Sequence, residues 1–140
     1  MIDNVAITHL SAGGAYPDDD GNGLPDWWEV FYLGSTGQVA SVDSDWDGLS
    51  NGDELTAGTD PGDIHSALVV HEFVEEAGGG YTVKWDSYSD RTYDVLKAPV
   101  LGSNVWSSIS GPLPGTGGEM TFTDTAVPSN RFYKIQVTQP

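Results

Sequence analysis

No cysteine occurs among the 140 residues, so neither a disulfide nor a thiolate metal site can brace the fold. Long apolar runs are also missing, and nothing approaches the roughly 18 residues of a membrane-crossing helix, so membrane insertion is not expected. The opening "MIDNVAITHL" lacks the basic-then-apolar pattern of a signal peptide. An exported protein would therefore carry this stretch as a piece of a longer precursor. Positive charge is the scarcest commodity. The five bases (Lys84, Arg91, Lys97, Arg131, Lys134) all lie in the second half, and residues 1–83 hold 16 acids and no base. A net charge of -16 excludes nucleic acid as a natural partner, because phosphate binding needs cations. It disfavours anionic membrane surfaces for the same reason. G-x-S-x-G, phosphate-loop and cysteine-nucleophile motifs are absent, and His9, His65 and His71 stand singly.

Acids are abundant, and they are ordered. "DDDGNGLPDWWE" (18–29) and "DSDWDGLSNGDE" (43–54) repeat one pattern 25 positions apart. Both satisfy the twelve-residue calcium-loop spacing D-x-[DN]-x-[DN]-G-x5-E. The first loop places Asp18, Asp20, Asn22, Asp26 and Glu29 at positions 1, 3, 5, 9 and 12, with the Leu24 carbonyl at 7. In the second, Asp43, Asp45, Asp47, Asn51 and Glu54 take the same places, with the Leu49 carbonyl at 7. A hard cation wants six to eight oxygens, and alternate residues aim theirs at one centre. Gly23 and Gly48 at position 6 permit the turn. Four carboxylates packed into each loop repel one another until a divalent cation converts repulsion to attraction. Two bound Ca2+ ions are therefore expected, and Mg2+ is disfavoured because it keeps its waters. Carboxylates held by calcium cannot serve as acids of raised pKa, so no catalysis is expected.

Each loop leads into a short helix, Asp26 to Leu33 and Asn51 to Ala57, ending at Gly34 and Gly58. Asp26-x-x-Glu29 and Asn51-x-x-Glu54 read as capping boxes. No helix is expected ahead of either loop, so each unit is half of an EF-hand. Beyond "TDPGDIHS" the pattern changes to period two. Strands are expected at Leu68–Glu75, Tyr81–Trp85, Tyr93–Lys97, Trp106–Ile109, Met120–Asp124 and Phe132–Val137. The fold class is thus mainly β with a small helical calcium unit. Residues 1–65 form the duplicated loop-helix unit, packed on an antiparallel six-stranded β-sandwich of residues 66–140. Trp85 and Tyr93 are expected in the core and Tyr88 outside. Trp27 and Trp28 are expected at the junction, and Trp46 is left either packed or solvent-facing.

Residues 18–63, above all "DGLSNGDELTAGTDP", resemble bacterial thrombospondin type 3-like calcium repeats, and also the loop-helix units of dockerins. Dockerin loops usually end in Asp where Glu29 and Glu54 stand here. The resemblance implies an extracellular or cell-surface setting and a further calcium contact from Asp60 or Asp63. The second half is similar to small β-sandwich tails of bacterial secreted proteins, which carry no known active site. A non-catalytic, calcium-ordered spacer follows, with a neighbouring domain, another surface protein or a polysaccharide as partner. A carbohydrate-binding module would need exposed coplanar aromatics. A dockerin-like adaptor would need matching apolar faces on both helices, and "WWEVFYL" differs from "GDELTA".

Overall fold

The computed structural model describes residues 2–8, 16–100, 102, 104–126 and 132–139, the first of these segments as backbone only. His9 and Arg131 lie outside the described residues. The chain divides into two compact units, residues 7–67 and residues 68–138 with the chain's opening residues. The molecule is mainly β, with two short helices and two antiparallel sheets.

Period-two alternation builds the sheets, because it places every second side chain on one face. The strands are β1 (Ile2–Thr8), β2 (Val70–Glu75), β3 (Tyr81–Asp86), β4 (Thr92–Ala98), β5 (Ser107–Ser108), β6 (Leu113–Pro114), β7 (Glu119–Asp124) and β8 (Phe132–Thr138). One sheet runs β1-β8-β4-β5, with β6 also on β4, and the other runs β2-β3-β7. The β4–β8 ladder is continuous from Thr92↔Thr138 to Ala98↔Phe132. Along it Tyr93, Val95, Ala98, Tyr133, Ile135 and Val137 are buried. Val83 and Trp85 of β3 are buried as well, and Trp85 packs 6.1 Å from Tyr93.

Polar side chains tie one sheet to the other. Asp124 on β7 accepts from the Tyr133 hydroxyl (2.8 Å) and pairs with Lys97 (3.1 Å), which come from β8 and β4. Burial alone would push the Asp124 carboxyl up. The Ala126 amide, the Tyr133 hydroxyl and Lys97 outweigh it, so the group sits below its ordinary value. The Tyr93 hydroxyl accepts from the Tyr88 amide (2.9 Å), pinning the turn before β4.

The strand expectations need three amendments. Eight strands, not six, occur among the described residues. The Trp106–Ile109 segment shrinks to the two residues of β5, since the Asp94 carboxylate and the β4 backbone engage Ser108 and Ser110 as a loop. Two further strands, β1 and β6, lack clear alternation in sequence. β6 is a two-residue edge ending in proline, and β1 gains its strand character by lying beside β8.

In the other unit, α1 (Asp26–Leu33) and α2 (Asn51–Ala57) share a small core of Leu24, Trp28 and Leu55, backed by Tyr32, Leu33 and Ala40. Trp28 is thus spent inside the loop-helix unit, while Trp27 stays half-exposed against Tyr16. Both helices end on left-handed glycines, Gly34 (φ 86°) and Gly58 (φ 85°). Neither expected capping box forms. Pro25 stands at the N-cap of α1 without a side-chain cap. In α2 the box moves back one residue, to Ser50 and Asp53. That shift leaves Glu54 outside the capping interaction. Among the described residues no helix is long and apolar enough to cross a membrane.

Candidate metal centre

The second loop is wound by its own acids. Asp43 accepts from the Trp46 amide (2.7 Å) and, through its other oxygen, from the Gly48 amide (3.0 Å). Asp45 Oδ1 accepts from the Asp47 amide (3.2 Å), and Asp47 Oδ1 from the Leu49 amide (2.7 Å). Gly48 supplies φ 102°, which a Cβ-bearing residue resists, and Trp46 itself adopts φ 70°. The Trp46 ring, 84% exposed, faces solvent. This winding brings one ligand atom each from Asp43, Asp45 and Asp47 within 4.8 Å of one another. Among the described residues no other trio of acids or histidines is gathered so closely.

What the loop leaves unpaired matters as much as what it pairs. Asp45 Oδ2, Asp47 Oδ2 and both oxygens of Glu54 are buried without a hydrogen-bond partner. Glu54 is 0% exposed. Burial pushes its carboxyl up to about 8, reinforced by the charges of Asp45 and Asp47. The nearby Thr59 hydroxyl pulls the other way without forming a well-made hydrogen bond. Asp47 is likewise raised by burial, against the pull of the Leu49 amide and with a push from Asp45 and Asp43. Buried, bare anionic oxygens are costly unless a cation meets them. An all-oxygen set of this kind fits calcium.

Asn51, at position 9, is held at both ends. Its Oδ1 accepts from the Ser44 hydroxyl (2.8 Å), and its Nδ2 donates to the Val39 carbonyl (3.0 Å). That bolt is invisible in the spacing of residues, because a backbone carbonyl twelve residues away has no signature.

The first loop is wound similarly but closed differently. Asp18 accepts from the Asn22 amide (3.1 Å) and the Gly23 amide (3.0 Å), and Asp20 Oδ1 from the Asn22 amide (3.2 Å). Asn22 Oδ1 accepts from the Leu24 amide (2.7 Å). Its Nδ2 reaches Asp20 Oδ2 (3.2 Å), Glu29 Oε1 (2.8 Å) and the Gln38 carbonyl (2.9 Å). Glu29, also 0% exposed, takes the Gln38 amide as well (2.8 Å), and its Oε2 alone is left bare. Asp26 turns to the Asp19 amide (3.1 Å). Asp60 and Asp63 each hold a local turn, accepting from Gly62 and His65 (both 3.0 Å).

Residues 43–63 match the family model described as bacterial TSP3 repeat. That family is calcium-binding and structural, and its repeats occur in extracellular proteins. The match takes in the whole second loop, α2 and the following "GTDPGD". No curated protein and no solved structure matches the chain.

Proposed function

We propose that the chain is a non-catalytic, calcium-ordered module of a bacterial secreted or surface protein. In the second loop, Asp43, Asp45, Asp47, the Leu49 carbonyl and Glu54 would hold the ion, while Asn51 fastens the loop to the segment before it. In the first, the corresponding groups are Asp18, Asp20, Asn22, the Leu24 carbonyl and Glu29, with Asp26 at the rim. Calcium would supply the counter-charge that this base-free stretch lacks, and so the ordering energy that a core of Leu24, Trp28 and Leu55 cannot. The ordered unit then serves as a stiff spacer. The two sheets are read as a small sandwich that the spacer presents or joins to a neighbour.

One observation carries this reading: the Asp43–Asp45–Asp47 group stands beside buried carboxylate oxygens that no protein donor meets. The aromatic alternative finds less support, since Trp85, Tyr93 and Tyr133 are buried among the strands. The test is an amide NMR spectrum of the whole chain, first in EDTA and then in millimolar CaCl2. Resonances of residues 16–63 should sharpen and disperse on adding calcium. Identical spectra in both conditions would sink the proposal.

A further inference from the structure

The two loops are wound alike, and position 5 separates them at a single atom. At position 5 of each, a side-chain oxygen accepts from the amide at position 7, at 2.7 Å in both loops. That bond fixes which end of the Asn22 amide faces which way, because only its oxygen can accept. The remaining atom in the second loop is Asp47 Oδ2, buried and bare. In the first it is Asn22 Nδ2, whose two N–H bonds are shared among Glu29 Oε1 (2.8 Å), the Gln38 carbonyl (2.9 Å) and the more distant Asp20 Oδ2 (3.2 Å). The contrast shows in the unpaired oxygens. Among buried oxygens, Asp45, Asp47 and Glu54 leave four without a partner, whereas the first loop leaves Glu29 Oε2.

Resting on the calcium reading above, we propose that Asn22 makes the two sites unequal. Its amide acts in the first loop as a built-in donor where the second loop keeps a bare carboxylate oxygen. The second loop therefore takes calcium first. The first loop takes it only as the amide releases Glu29, and with an amide instead of a carboxylate at position 5, its fourth carboxylate, Asp26, being turned to the Asp19 amide. Giving up one hydrogen bond to a charged group weakens the first site by roughly 10- to 100-fold. The same amide lets the first loop close without metal, by stitching Asp20 and Glu29 to the Gln38 backbone.

Calorimetric titration of the EDTA-stripped full chain with CaCl2 tests this. Two classes of site are expected. The side-chain amide signal of Asn22 should stay put through the first equivalent and move during the second. Asn22→Asp should strengthen the weaker class at least ~10-fold, bringing the two together. Asp47→Asn, the reciprocal change, should weaken the tighter class and keeps the proposal testable if the first variant folds poorly. A chain that binds one ion, and gains the second only as Asn22→Asp, would support the proposal in its strongest form. Two equal sites in the natural chain would overturn it, as would Asn22→Asp leaving the weaker class unchanged. A chain that takes up no calcium in either loop would instead defeat the calcium reading itself.

Discussion

Glu54 concentrates the chemistry of the second loop in one side chain. With calcium stripped, its carboxyl is harder to ionise in the fold than in the unfolded chain, rising from 4.5 to about 8. The stability tied to its protonated form is therefore complete below about 4.5, declines as pH climbs toward about 8, and levels off above that. In EDTA, the thermal midpoint of the loop-helix unit should fall over this window, and Glu54→Gln should flatten the fall. In calcium the same substitution should cost most of the affinity of the second site, as titration calorimetry would register. Gly48 gives a different kind of test. Nothing lies within 4 Å of where its Cβ would sit, so any penalty comes from φ 102° alone. Gly48→Ala should cost ~1–2 kcal/mol by thermal melting, and Gly48→Asn less, since asparagine tolerates positive φ better.

Between elements, Asp124 fastens the β unit by joining β7 to β4 and β8. Asp124→Ala removes the acceptor that Lys97 and the Tyr133 hydroxyl share and should cost ~3 kcal/mol in urea unfolding. Gly115→Ala should damage the same unit sterically. Its new Cβ would run into the Tyr88 carbonyl and lie 3.0 Å from the Tyr93 ring, at the point where Tyr93 pins its turn. How much of this was legible follows from range. The strands around Val83, Val95 and Ile135 announced themselves because burial on one face imposes alternation. Both loops announced themselves because their winding imposes spacing, with Asp18 and Asp43 each taking the amide of the glycine five residues on. The capping boxes misled, since Asp and Asn near a helix start can cap or can turn elsewhere. Asp26 turned to Asp19, and Asn51 to Ser44 and Val39. Only contacts between distant residues decide such cases, and spacing does not encode them.

At the scale of the whole molecule, the two units rest on different foundations. The β unit buries Val83, Trp85, Tyr93, Val95, Tyr133, Ile135 and Val137, while the loop-helix unit buries Leu24, Trp28, Leu55 and Ala57 beside two carboxylates, Glu29 and Glu54. Heating in EDTA should therefore give two separated transitions by calorimetry, the earlier one belonging to residues 16–63. Saturating calcium should move only that one upward. A single transition indifferent to calcium would contradict this division. Finally, the segment between the loops is claimed from both sides. Asn22 grips the Gln38 carbonyl, Asn51 grips that of Val39, and the Ala40 carbonyl takes the Gly52 amide (2.9 Å). Adjacent peptide units are thus clasped by opposite halves of the duplication. The interval of 25 residues is consequently a mechanical dimension, and inserting even one alanine between Gln38 and Val39 would force one loop to let go.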